Sequence, residues 1–388
     1  MKDETRITSE GRGGSHGIVN MPVYRASTVL FPTVADLEAA QQANQGERRL
    51  TYGRQGTPTI WALEDAIVAL EGGHACTVVS SGLAAITTSL LGFLGAGDHL
   101  LMVDSTYGPT RRFCDEMLTD LGIETTFYDP LIGAEIGSLM RPHTKVVFLE
   151  SPGSQTFEIQ DVPAIAKVAR ERGAVTIMDN TWATPLLFKP LEHGIDVSIL
   201  AATKYIVGHA DAMLGTITAT PEAWPTINRS RGNLGGFASP DDCYLGLRGL
   251  RTLALRLARH EASALQVARW LDNRPEVARV LHPALPHDPG HDIWRRDFTG
   301  ASGLFGAVFK PCPKAEIDAF LNATELFEMG YSWGGFESLI IPTDPAKGRT
   351  ATAWTEPGPS VRIHIGLEDP NDLIADLEQS FARMAAAA

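Results

Sequence analysis

Ile199-Leu-Ala-Ala-Thr-Lys-Tyr205 is a short apolar run that stops beside a lysine, and Val175-Thr-Ile-Met-Asp-Asn-Thr-Trp182 is another that stops at an acid. Neither alternates apolar with polar residues. That is the pattern of strands covered on both faces. Thr77–Ser80, Leu100–Asp104, Lys145–Glu150 and Leu214–Ala219 read the same way, and helical stretches such as Pro163–Arg172 separate several of the runs. Alternating strands and helices imply an α/β fold, with a mostly parallel central sheet and helices on both faces. Ligands of such sheets sit beyond the carboxyl ends of the strands. Asp179 and Lys204, 25 residues apart, are expected there.

Thr77-Val-Val-Ser-Ser-Gly-Leu-Ala-Ala-Ile86 adds a third element. A strand runs into small residues and a helix begins near Gly82. Free N–H groups at a helix start bind phosphate, and Gly82 allows close approach. Taken alone, each element also reads as an ordinary feature: a tight strand–helix turn, a loop-capping carboxylate, a solvated lysine. Lys204, however, lies among Ala201, Ala202 and Tyr205 in a stretch with little other charge. A desolvated lysine holds its proton less tightly and becomes nucleophilic. A phosphate anchor, an acid and a buried lysine together point to pyridoxal phosphate, which needs one of each. Tyr107, in Ser105-Thr-Tyr-Gly-Pro-Thr110, is placed to stack on its ring. A nucleotide site lacks support, since neither GxGxxG nor GxxxxGK[ST] occurs.

The composition fits this reading. The 388 residues are 44% hydrophobic and 20% charged, which excludes wholesale disorder. Lys and Arg number 33 against 46 Asp and Glu, a net charge of −13. An acidic chain argues against non-specific nucleic-acid binding or docking on an anionic membrane. Cys76, Cys114, Cys243 and Cys312 form no CxxC and read as buried thiols. The N-terminus has no apolar signal segment, and the uncharged stretch Ala75–Gly97 reads as strand into helix rather than as a membrane span.

Before Thr57 the chain lacks strong periodicity. Gly11, Gly13, Gly14, Gly17, Pro22 and Pro32 punctuate what reads as an extended arm in need of a surface to lie on. Thr57-Pro58 opens a helix that Gly72-Gly73 ends. Pro240–Leu271 reads as one long helical region whose Arg248, Arg251, Arg256 and Arg259 form a solvated or interface face. Strands are expected at Gly303–Lys310, Phe327–Ser332 and Val361–Gly366, and helices at Lys314–Leu321 and Pro370–Ala385. His282, His287 and His291 are interrupted by prolines and do not read as metal ligands.

Tyr52-Gly-Arg-Gln-Gly-Thr-Pro-Thr59, Ser80-Ser-Gly-Leu-Ala-Ala85, Tyr107-Gly108, Asp179-Asn-Thr-Trp182, Ala202-Thr-Lys-Tyr205, Gly208-His-Ala-Asp211 and Arg362-Ile-His-Ile-Gly366 follow one another in order. This set resembles the Cys/Met-metabolism family (γ-family) of pyridoxal-phosphate enzymes, of fold type I, nearly end to end. The resemblance implies three parts. Residues 1–57 are an arm reaching the neighbouring subunit's site, 58–250 a cofactor-binding α/β domain, and 251–388 a smaller C-terminal α+β domain. It implies that Lys204 carries the cofactor as a Schiff base and serves as general base, that Asp179 pairs with the ring nitrogen, and that Tyr107 stacks on the ring. Gly82, Leu83 and Thr203 would hold the phosphate, with Tyr52 and Arg54 from the neighbouring subunit. Arg362 would bind the substrate carboxylate, with Ser332, Trp333 and Tyr52 shaping the pocket. The family's usual assembly is a homotetramer, a dimer of catalytic dimers, in the cytoplasm, acting on a small amino acid. One departure stands out: Ala201 replaces a serine whose hydroxyl commonly contacts phosphate.

Three stretches resemble the family's β-eliminating branch: Glu150-Ser-Pro-Gly-Ser154, Tyr331-Ser-Trp-Gly-Gly335, and His282-Pro-Ala-Leu-Pro286 followed by Gly303-Leu-Phe305. They imply a carbon–sulfur lyase of methionine biosynthesis that splits L-cystathionine into homocysteine, pyruvate and ammonia. A γ-acting relative, whether lyase, synthase or sulfhydrylase, would use the same residues and is the alternative.

Overall fold

The computed structural model describes residues 1–13, 17–42 and 48–387; Gly14 of the arm lies outside them. Seven strands form the central sheet: β1 (Ala75–Val79), β2 (His99–Val103), β3 (Glu124–Tyr128), β4 (Thr144–Glu150), β5 (Val175–Asp179), β6 (Val197–Leu200) and β7 (Gly215–Ala219). Their order is β1-β7-β6-β5-β4-β2-β3. All pairings are parallel except those of β7, which runs antiparallel to both β1 and β6. Every residue of β2, β6 and β7 is buried, as unalternating strands between two helix layers require. Strand β3 escaped the sequence reading. It is the edge strand, and its Glu-Thr-Thr-Phe-Tyr is only partly buried, so no apolar run marks it.

A second, antiparallel sheet of β8 (Val277–Leu281), β9 (Leu304–Phe309), β10 (Leu339–Thr343) and β11 (Ser360–His364) has the order β10-β11-β9-β8. Two expectations change here. Phe327–Ser332 is not a strand; it makes one isolated bridge, Glu328 to Leu339, and Ser332 turns to φ 85°. The strand in this region is β10 instead, which the sequence hides because Pro342 interrupts it. Proline is tolerated because β10 is an edge strand.

The long helical region is two helices, Pro240–Leu250 and Leu253–Asp272. Of its arginines, Arg248 and Arg259 are exposed, but Arg256 is only 6% exposed. Its guanidinium donates to Gly249 O at 2.8 Å and lies against Gly208, so it is a buried brace and not part of a solvated face. The arm is not wholly extended. Asp3–Ser9 is a helix that buries Ile7, and Arg251 donates to Ile7 O and Glu10 O behind it; Val34–Gln42 is another helix. The arm also leaves apolar side chains outside, with Leu30 88%, Val34 71% and Val19 68% exposed. Helix Pro58–Glu71 starts and stops as expected, with Gly72 left-handed at φ 75°, although Thr57 makes no side-chain cap bond. Cys76, Cys114 and Cys243 are buried free thiols; Cys312 is half-exposed. Among the described residues no helix is long and apolar enough to cross a membrane.

Candidate active site

Three parallel strands end side by side, and their last residues build a floor. Asp179 ends β5 and is the register partner of Glu150, which ends β4. Lys204 follows the end of β6 in a turn closed by its own N–H on Ala201 O (3.0 Å) and by Gly208 N–H on Lys204 O (2.8 Å). The acid and the lysine turn are tied together. Thr181 donates to Asp179 Oδ1 through its N–H (2.9 Å) and its hydroxyl (2.5 Å), and its hydroxyl oxygen accepts from Ala201 N–H (2.8 Å).

Above the floor, helix Gly82–Phe93 begins with Ser81 as N-cap, its hydroxyl accepting from Ala84 N–H. The cap takes one first-turn donor and leaves those of Gly82 and Leu83 without an intrahelical acceptor. Gly82 has no freedom to change: a Cβ there would stand 2.4 Å from Ala201 Cβ. Ala201, where family resemblance expects serine, therefore packs directly on the helix start. The Thr203 hydroxyl lines the cleft but is engaged with the Leu214 peptide, accepting its N–H at 2.8 Å and donating to its O at 3.2 Å.

The C-terminal sheet closes the other side. Arg362 on β11 donates to Ser332 O at 3.0 Å, and Lys204 Nζ donates to Ser332 Oγ at 2.5 Å. The Trp333 ring lies 5.2 Å from the same Nζ and 5.5 Å from the Tyr205 ring. Together these groups line one cleft of about 400 Å³. It contains Gly82, Leu83, Tyr107, Asp179, Thr203, Lys204, Ser332, Trp333 and Arg362. Tyr52 and Arg54 are not among its walls. Tyr52 pairs with Thr28, and Arg54 donates to Gly232 O at 3.3 Å.

Burial dominates the electrostatics. It pulls the Lys204 ammonium down to about 8, with the Arg362 charge adding to the fall and Asp179 opposing it. It lowers Arg362 as well. It raises both Asp179 and Glu150, and for Glu150 the Asp179 charge is the next cause. The Tyr107 phenol, half-buried, is raised by burial and then by Glu150.

The sequence reading had not singled out Glu150, Thr181 or Tyr331. Glu150 Oε2 accepts from Tyr107 N–H at 2.8 Å and from the Thr106 hydroxyl at 3.1 Å, so it fixes the backbone at Tyr107. Its position at a strand end was the available signal. Tyr331, which opens the Tyr331-Ser-Trp-Gly-Gly335 stretch, stands 93% exposed at the mouth. Of the loop histidines, His282 is buried and accepts Ala284 N–H, while His287 pairs with Asp272. Among the described residues no cluster of three or more His, Cys, Asp or Glu could hold a metal.

The donor set fits pyridoxal phosphate. Helix-start N–H groups suit a phosphate, a buried acid suits a ring nitrogen, and a lysine with lowered proton affinity suits an aldehyde. Residues 4–382 match the family model described as Cys/Met metabolism PLP-dependent enzyme. A putative cystathionine β-lyase of Rhizobium johnstonii is 52% identical over 98% of this chain and 96% of its own. Cystathionine β-lyase of Escherichia coli is 46% identical over 99% of each chain. The crystal structure of a cystathionine γ-synthase from Xanthomonas oryzae pv. oryzae superposes with a TM-score of 0.91 at 29% identity, covering 100% of both chains. The chain belongs to the Cys/Met metabolism family of PLP-dependent enzymes. It is a pyridoxal-phosphate enzyme of α/β fold that acts on an amino acid.

Proposed function

We propose that this protein is a cystathionine β-lyase, cleaving L-cystathionine by α,β-elimination to homocysteine, pyruvate and ammonia. The observation that carries the reading is the likeness to named cystathionine β-lyases over nearly the whole chain; within the site, Ser332 links its two main groups. Its hydroxyl takes Lys204 Nζ and its carbonyl takes Arg362 Nη2, so one residue spaces the base from the carboxylate anchor. The kinship to named β-lyases, at 46 to 52% identity, supports β- over γ-cleavage.

Bound pyridoxal phosphate supplies an electron sink conjugated to the substrate's amine. Gly82 and Leu83 would hold the phosphate with their N–H groups, and Thr203 would border it. Asp179 would pair with the ring nitrogen and favour its protonated form, and Tyr107 would stack on the ring. Arg362 forms a bidentate pair with the α-carboxylate. Ser332 and Trp333 bound the side-chain pocket. Lys204, as a free amine, would remove the Cα proton from short range. The Cα electron pair would then form the Cα=Cβ bond as the Cβ–S bond breaks with its pair on sulfur, and one water would hydrolyse the resulting enamine to pyruvate and ammonia. A proton from Lys204 or Tyr107 completes the thiol.

Tyr52 and Arg54 lie outside this cleft, on an arm whose apolar side chains are exposed. Both facts support a homodimeric catalytic unit in which the arm of residues 1–57 completes the partner's site beside domains 58–250 and 251–388. Two such units make the tetramer we propose. The test of the site is chemical. Borohydride reduction of the holoenzyme should fix the cofactor on Lys204 in the peptide map, and Lys204→Ala should abolish pyruvate release. Label on another lysine would falsify the assignment.

A further inference from the structure

The loop Ser332–Gly335 carries both Ser332 and Trp333, yet it has no regular structure to hold it. Its position is set from two sides. Gly334 lies against the main chain of Lys204. A Cβ there would be 3.0 Å from Lys204 Cα, and its φ of 88° is left-handed. On the other side stands β11. Arg362 and His364 are two residues apart on this strand, so they project to the same face. Arg362 donates to Ser332 O, and His364 Nε2 accepts the N–H of Gly334 at 3.1 Å.

We propose that His364 is a positioning residue for substrate binding: its Nε2 lone pair fixes Gly334, and through it the Ser332–Trp333 wall. Nε2 lies 3.1 Å from Gly334 N and 3.3 Å from Gly335 O: accepting from Gly334 puts the ring proton on a buried Nδ1 that has no partner, the opposite tautomer donates to Gly335 O, and either way the same ring edge holds this loop, the shorter contact being the one proposed. The surroundings enforce a neutral ring. His364 is 1% exposed, its ring lies 5.3 Å from that of His260 and 6.0 Å from that of Tyr205, and Arg362 and Lys204 add positive charge nearby. Burial, then these neighbours, push its proton affinity down to about 3. Tyr205 closes the arrangement. It follows Lys204 in sequence, accepts Gly303 N–H on its hydroxyl oxygen at 2.9 Å, and packs its ring on Trp333. The lysine turn, the loop and β11 thus meet at one ring cluster behind the substrate wall. The Arg362-Ile-His motif places the carboxylate anchor and the loop's anchor on one strand face.

This inference deepens the proposed function and rests on its placement of Arg362 and Ser332 at the substrate carboxylate. It does not depend on which bond is cleaved. The test therefore uses glycine, an amino acid with no leaving group, followed by change in the bound cofactor's absorption. His364→Phe keeps a ring and removes the acceptor; His364→Gln keeps an acceptor. We expect His364→Phe to raise the glycine Kd, and KM with it, by about 5- to 150-fold, the range for orphaning one buried donor. Cofactor content should be retained and kcat should fall less than KM rises. His364→Gln should recover most of the affinity. Should His364→Phe not fold, His364→Asn, too short to reach Gly334, is expected to show the same loss. Glycine binding within twofold of the parent in the acceptor-free variants would overturn the proposal. So would His364→Gln as weak as His364→Phe. A parent enzyme that binds glycine normally but fails to cleave cystathionine would instead count against the β-lyase reading alone.

Discussion

Glu150 and Asp179 stand opposite each other at the ends of β4 and β5, both buried and both pushed toward protonation. Two carboxylates in one buried place cannot both ionise without an external positive charge. A protonated pyridine nitrogen beside Asp179, as proposed, would be such a charge. Asp179→Asn should therefore cut kcat by roughly 100-fold or more, the scale for removing one preorganised electrostatic partner. Glu150→Gln retains an acceptor for Tyr107 N–H and should cost far less. Steady-state kinetics on both variants decide the matter; equal losses would mean that the two acids share the role.

Lys204 should react with the cofactor's aldehyde as a free amine. Its proton affinity is lowered to about 8 by burial and by Arg362. Reconstitution of apoenzyme with pyridoxal phosphate should thus accelerate as pH rises through about 8, rather than near the value for an exposed lysine. Stopped-flow absorption measures this directly. A rate still climbing tenfold per pH unit at pH 9 would contradict the buried-amine account.

Arg362→Leu removes one partner of a charge pair in a pocket, a loss of about 2–5 kcal/mol. That corresponds to roughly 30- to 5,000-fold in kcat/KM. The cofactor spectrum should barely move. Activity within a few fold of the parent would mean that another group holds the carboxylate.

Glu71 offers a stability test away from the site. It is fully buried at the end of helix Pro58–Glu71, with one oxygen accepting from Ser198. Burial raises it to about 8 from an ordinary 4.5. Between those values the folded chain keeps a proton that the unfolded chain releases. Its contribution to stability is therefore full below 4.5 and is lost as pH rises toward 8. Glu71→Gln should flatten the fall in Tm between pH 5 and 8, and an unchanged slope would argue that Glu71 is ionised in the fold.

How much of this was legible beforehand follows from where each residue sits. The buried strands ending at Asp179 and near Lys204 announce themselves, because coverage on both faces leaves an unbroken apolar run. The helix start at Gly82 is equally plain, with small residues and a serine cap. Edge strands β3 and β10 are not, since one side faces solvent and Pro342 interrupts the second. Glu150 was visible at a strand end, but only the register of β4 on β5 makes it Asp179's neighbour. Ser332 and Trp333 entered through family likeness alone; the local pattern suggested a strand where the chain forms a loop shaped by contacts with Lys204 and His364. Arg256 looked like surface because its partners are carbonyls distant in sequence or hidden at a helix end.

Arg54 tests the shared site. Phosphate needs positive charge, while Gly82 and Leu83 offer only neutral donors and Thr203 is engaged with Leu214. Arg54→Ala should weaken cofactor retention. Arg54→Ala and Lys204→Ala subunits, each nearly inactive, should regain activity when dissociated, mixed and reassembled, because both defects fall in one of a heterodimer's two sites. Verified hybrids without activity would place both residues in the same subunit's site.

The central claim is the bond that breaks. Purified holoenzyme should be incubated with L-cystathionine and the products separated. The account requires pyruvate and homocysteine in equal amounts, with ammonia. Appearance of 2-oxobutyrate with cysteine would show γ-cleavage and contradict it.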